Sequence, residues 1–235
     1  MIHFFTENYE NLKESLTSSL VEIPKWFKKQ PSSCPVTHKF SAEGTKNFLT
    51  IKHCPGILDY LKHGYVLKMW EDIEISVKEN YLLDSVHKID DFSEVTGWPY
   101  LSKTENTKFK IHHLSQFLDL PIRKNHNHAI KLLNPWQAKS TSNREKLLVL
   151  PLILEDLPFQ IIPGIIEISF YHFLHIPMLI NSDKPFTIKK GTPLLQYIPL
   201  VDNIDVNISS IDSIDQSTLT NWTGGSKAYK KLRSN

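Results

Sequence analysis

Between Leu147 and Val201 the chain is apolar, yet proline, glycine or a short polar turn interrupts it every few residues. No long helix survives such punctuation, and short strands joined by turns do. Lys146–Leu152 predicts a strand, followed by the turn Glu155-Asp156-Leu157-Pro158. Phe159–Ile162 precedes the corner Pro163-Gly164, and Ile165–Ile180 holds one long or two short strands. Ser182–Pro185 turns the chain, Phe186–Lys189 is a short strand, and Lys190-Gly191-Thr192-Pro193 turns again into Leu194–Val201. Continuous apolar runs predict strands buried on both faces. Turns roughly eight to twelve residues apart fit a barrel or a sandwich. The expectation is a mostly-β domain over residues 1–201, a single barrel or sandwich of β-clip-like or double-stranded β-helix-like form, with a short N-terminal helix.

The earlier part is less regular. Ile2–Phe5 reads as an opening strand. Tyr9, Leu12, Leu16 and Leu20 recur at helical spacing, so Asn8–Leu20 is the helix candidate, stopped by Pro24. Ile23–Lys29 reads as an aromatic anchor among solvated lysines, and Cys34–Gly44 as a loop. Phe48–Cys54 predicts a strand, Pro55–Leu61 a short helical turn ended by Gly64, and Tyr65–Val77 a pair of strands. Ala129–Leu133 predicts another strand. Beyond Val201 the Ser/Asp/Asn-rich sequence predicts a polar extension, 202–235, packed on the domain or trailing from it.

Composition excludes several classes. Hydrophobic residues at 40% and charged residues at 22% suit a folded globular chain rather than a disordered one. No apolar run approaches the ~20 residues of a membrane-spanning helix, and Met1–Asn8 lacks the pattern of a signal peptide. The expected setting is the cytoplasm, with no membrane partner. Net charge is +2 with no long basic block, which makes nucleic acid an unexpected partner. Lys25-Trp26-Phe27-Lys28-Lys29 mixes basic and aromatic residues, but a core staple with solvated lysines is the simpler account. Cys34 and Cys54, the only cysteines, read as free thiols.

Candidate chemistry is sparse. Glu167 follows the glycine corner, where a strand end presents a side chain to a pocket; a rim carboxylate is the ordinary alternative. Among eleven histidines, His126 and His128 have the spacing of metal ligands on one strand face, with His175 and Glu167 as remote partners. No Gly-x-Ser-x-Gly elbow and no phosphate loop is present. The residues do not identify a cofactor.

Two resemblances add to this. Ile23–Lys29, Thr50–Asp59 with Gly64-Tyr65, Leu133-Asn134-Pro135-Trp136, Asp156–Phe159, Pro163–Ile166 and Lys190–Pro199 occur in one order. In that order they resemble an uncharacterised protein family of tailed phages, common among those infecting marine cyanobacteria. The resemblance implies location in an infected host's cytoplasm or in the virion, and no activity. Where that family often carries Asp-Thr-Asp, this chain has Glu167, Ile168 and Ser169. A narrower likeness joins Gly164–Tyr171 and Phe186–Ile198 to the ending of the dUTPase and dCTP deaminase fold. It implies Glu167 in place of a water-activating aspartate, Tyr171 in place of a deoxyribose-packing tyrosine, and Gln196 in the closing strand. The arginine and glycine after that tyrosine are His172 and Phe173 here, and the phosphate-binding Pro-Arg-Ser-Ser segment has no counterpart. The leading expectation is therefore a phage accessory or virion-associated protein that binds a partner or small ligand without catalysis and self-associates. The alternatives are a nucleotide-binding or nucleotide-hydrolysing protein of dUTPase-like fold, and a metal-dependent cupin-type oxygenase.

Overall fold

The computed structural model describes residues 1–34, 49–75, 109–112, 128–141, 145–152, 157–169, 172–182, 184–201 and 204–214, with the backbone alone given for 109–112 and 128. Within them the chain is mostly β. In chain order the strands are β1 (Ile2–Thr6), β2 (Leu16–Ser18), β3 (Tyr65–Lys68), β4 (Ile73–Ile75), β5 (Phe109–His112), β6 (His128–Leu132) and β7 (Gln137–Ser140). There follow β8 (Lys146–Pro151), β9 (Phe159–Ile161), β10 (Gly164–Glu167), β11 (Ile176–Ile180), β12 (Phe186–Ile188), β13 (Pro193–Pro199) and β14 (Val206–Ser210). The α-helices are α1 (Tyr9–Leu12), α2 (Lys25–Lys29) and α3 (Pro55–Lys62).

Every strand expected between Leu147 and Val201 forms, and the punctuation explains their ends. Ile165–Ile180 divides into two strands, β10 and β11. The run does not make one sheet. β8, β10 and β13 join β3 and β2 in a five-stranded sheet of order β10-β8-β13-β3-β2, whereas β9 and β11 pair with β6 and β5 in order β5-β6-β11-β9. β12 pairs with β4, and β1 lies between β14 and β7. All pairings are antiparallel except β1 with β14. None of these sheets closes on itself among the described residues. The parallel partner of β1 comes from the Ser/Asp/Asn-rich segment after Val201.

Several local expectations change. The helix expected over Asn8–Leu20 stops at Leu12 and tightens into a 3-10 turn over Lys13–Ser15. The Ser15 hydroxyl donates back to the Leu12 carbonyl at 2.6 Å, a competitor to helix propagation. Leu16 then turns extended and is buried opposite Leu67, so strand pairing outweighs helical periodicity. The strand expected over Phe48–Cys54 reduces to one bridge between Leu49 and Ser33 and a 3-10 turn over Ile51–His53. Pro55 at the start of α3 holds Cys54 extended. β3 and β4 both form but bind different partners, β13 and β12, rather than each other.

One apolar cluster draws on all four sheets: Ile2, Phe4 and Ala138; Leu67, Leu147, Leu195 and Tyr197; Ile130, Ile161 and Met178; and Ile73 and Ile188. A buried polar chain threads it. Asn134 donates to the Leu174 carbonyl and to the Tyr197 hydroxyl, both at 3.0 Å, and accepts from the Trp136 amide at 3.1 Å. The Trp136 indole donates to Ser15 Oγ at 3.0 Å. These bonds tie β13, the β6–β7 link and the N-terminal segment together, satisfying groups that would be expensive to bury alone. Burial pushes the Tyr197 phenol well above its ordinary range.

Candidate functional site

The five-stranded sheet carries two of the three residues expected to meet at a ligand. Glu167 closes β10 opposite Lys146, whose carbonyl accepts from the Leu200 amide at 2.9 Å. Its side chain is buried, with the Lys146 ammonium 4.0 Å from Oε2. Gln196 sits in β13 opposite Leu150 and Val66. Even residue offsets place both side chains on the same face of the sheet. They are four residue positions apart along the strands, roughly 13 Å, and two strands apart laterally. The register therefore separates Glu167 from Gln196. Tyr171, the third, lies outside the described residues.

Gln196 has another task. α3 ends against this face, where the last carbonyls of a helix run out of regular partners; the Tyr60 carbonyl accepts a long bond from the His63 amide at 3.4 Å. The buried Gln196 amide nitrogen offers its two hydrogens among three acceptors: the Tyr60 carbonyl at 2.8 Å, the His63 carbonyl, and Ser19 Oγ at 3.1 Å. Gly64 follows with φ +79°, and a Cβ there would run into the Tyr197 carbonyl oxygen. The Tyr60 hydroxyl donates to the Pro151 carbonyl at 3.2 Å. Gln196 thus anchors α3 across β13 and β8, and its amide nitrogen is fully used in doing so.

The expected metal ligands are also dispersed. His128 pairs with Ile180 at one end of β11, while His175 precedes the other end. Five residues of extended chain separate these positions by roughly 16 Å, too far for two imidazoles to share an ion bound at about 2.0–2.1 Å. The His175 ring stacks on Phe173 at 5.4 Å. His126, Glu155 and Asp156 lie outside the described residues. Among the described residues no three His, Cys, Asp or Glu side chains cluster as metal ligands, and Cys34 and Cys54 are not joined in a disulfide.

What sequence patterning missed is the open half of this face. β8 alternates buried and half-buried residues instead of burying both sides. Leu147, Val149, Leu195 and Tyr197 point to the core. On the outer side, Ile165, Leu148 and Ile198 form one cross-strand row. Ile165 is 59% exposed, and Leu200, just after β13, is exposed too. α3 covers the Gln196 end, and along the row Leu148 and Ile198 are half-buried. β10 is an edge strand, bonded on one side among the described residues. The signal available in the sequence was the Lys146–Glu167 pair of charges, one at an end of each of two apolar strands.

No described helix is long and apolar enough to cross a membrane. No family model matches this chain, and no curated protein matches it either.

Proposed function

We propose that the chain is a non-catalytic β-sandwich protein that works by self-association, as an accessory or virion-associated protein of a tailed phage. The observation that carries this reading is the β10 edge, unpaired among the described residues, beside the Ile165–Leu148–Ile198 row, in which Ile165 is exposed and the other two are half-buried. An exposed aliphatic row next to an unpaired strand edge is a template for pairing with another chain. β10 lacks the lysine, proline or bulge that guards such edges. A second copy satisfies both features. Antiparallel pairing of β10 with its twin about a twofold axis through Ile165 keeps residues of equal parity opposite each other. The apolar rows then become continuous on one face. The order of the segments shared with the phage family supports the viral setting. The five- and four-stranded sheets, both contributing to one core, support the sandwich.

Light scattering after size exclusion tests this. Wild type is expected near twice the 27.2 kDa chain mass, and Ile165→Asp near the single mass with its fold kept by circular dichroism. A wild-type monomer at all concentrations overturns the reading. The nucleotide alternative rests on Glu167 at the glycine corner. A thermal shift with dUTP or dCTP and Mg²⁺ that disappears in Glu167→Gln would favour it instead.

A further inference from the structure

A second surface is independent of β10. α2 lies with Phe27 buried and Trp26 packed edge-on against it at 5.5 Å. On a helix this places Lys25 and Lys29, four residues apart, on the side opposite Phe27. Lys25, Lys28 and Lys29 are all exposed and make no ion pair with a carboxylate among the described residues. Exposed aliphatic side chains stand at both ends of α2. Leu20 and Val21, in the turn before it, are 62% and 67% exposed. Leu49 and Ile51, 65% and 46% exposed, flank Thr50. The Thr50 amide donates to the Ser32 carbonyl at 3.2 Å, and the Lys52 ammonium reaches the Lys28 and Gln30 carbonyls at 3.3 and 3.2 Å. These bonds hold the Leu49–Ile51 turn against the end of α2.

This surface carries an excess of positive charge. Residues 20–34 and 49–63 contain five lysines against Glu22 and Asp59, a net +3, while the whole chain is +2; everything else therefore sums to −1. Glu22 is already bonded to Lys68 at 2.7 Å. We infer that the α2 surface, with the Leu20-Val21 and Leu49–Ile51 turns, docks peripherally on an anionic phospholipid surface. Lysines beside protruding aliphatics match a layer of phosphate over hydrocarbon. A rigid acidic protein would need pockets shaped for Leu20 and Val21, whereas a bilayer yields to them. Nucleic acid is the poorer match, because it rewards stacked aromatic rings; Phe27 is buried and the Trp26 indole nitrogen is turned inward. Such docking needs no spanning helix, so it revises only the expectation that no membrane is a partner.

Co-sedimentation with vesicles tests the inference on the full chain. Binding is expected to vesicles of about one-third phosphatidylglycerol in phosphatidylcholine, to weaken as salt rises, and to be absent with phosphatidylcholine alone. The triple variant Lys25→Gln, Lys28→Gln, Lys29→Gln should bind about a hundredfold more weakly, at roughly fivefold per lysine. Leu20→Ser with Val21→Ser should lose roughly tenfold at unchanged net charge. All five positions are exposed, and unchanged melting confirms that the fold is kept. No binding to anionic vesicles, or binding that the aliphatic pair does not affect, overturns the inference. Lysine-dependent capture of a single-stranded oligonucleotide or an acidic peptide, with vesicles unbound, overturns it in favour of that partner.

Discussion

Gly64 meets two separate demands, which makes it more sensitive than Gly191, the other left-handed glycine among the described residues. At φ +79° an L-residue is strained by roughly 1–2 kcal/mol. Its Cβ would also strike the Tyr197 carbonyl, part of the β13 backbone, which cannot swing aside as a flexible side chain does. Gly191 has nearly the same φ, +83°, but open space around it. Gly191→Ala should therefore cost about 1–2 kcal/mol, the conformational term alone. Gly64→Ala should cost roughly twice that or more, because β13 or α3 must shift as well. Chemical denaturation of both variants reads the difference, and equal losses would refute the close-approach argument. Similar logic ranks the buried polar chain. Asn134→Ala removes three bonds at once, for about 3 kcal/mol, although the Tyr197 hydroxyl can still donate to the Leu174 carbonyl at 3.3 Å. Tyr197→Phe leaves Asn134 its Leu174 and Trp136 bonds and should cost about 1 kcal/mol. If Tyr197→Phe proves the worse of the two, the network is not centred on Asn134.

At the scale of elements, α3 depends on a side chain from another part of the fold. Eight residues are too few to hold a helix in water. Gln196 ends it by bonding the Tyr60 and His63 carbonyls. Gln196→Leu keeps the volume and removes the amide from both carbonyls, leaving Tyr60 its long bond from the His63 amide at 3.4 Å, so roughly 2 kcal/mol should be lost. Hydrogen exchange should accelerate across Pro55–His63 while β8 and β11 stay protected. If protection falls uniformly instead, Gln196 supports the core rather than the helix. This arrangement also shows what the sequence could and could not reveal. Turn residues mark strand ends directly, so the strands from Lys146 to Pro199 were legible. Sheet membership was not, because it depends on pairings such as β3 with β13, more than a hundred residues apart. Local periodicity misled at Leu16, where a distant strand claims a residue that fits a helix. Among the candidate site residues, Gln196 was visible as a buried polar residue in the last core strand. That its amide serves helix carbonyls instead of a ligand follows only from where α3 lands.

For the whole molecule, the β1–β7 pairing is held in part by a histidine buried beside it. His172 Nδ1 donates to the Ala138 carbonyl at 3.0 Å, and the Ala138 amide donates to the His172 carbonyl at 2.8 Å. Ala138 itself pairs with Phe4 of β1. Burial holds the His172 imidazole below its ordinary value of 6.5, outweighing the Ala138 and Ile168 carbonyls that favour the cation; nearby Lys139 disfavours it as well. The unfolded chain therefore binds a proton that the folded chain refuses. Above about pH 6.5 both states are neutral at this residue and it exerts no pH effect. Below 6.5 the unfolded state gains the proton first, so stability falls with decreasing pH until the folded-state value is reached. One proton limits the slope to about 1.4 kcal/mol per pH unit. His172→Asn can keep a donor toward Ala138 while removing the titration. The difference in unfolding free energy between wild type and this variant should be constant above pH 7 and shift in the variant's favour between pH 6.5 and 5. The other histidines cancel in that comparison. A difference that stays flat through this window would mean that His172 protonates as readily in the folded protein as in the unfolded chain.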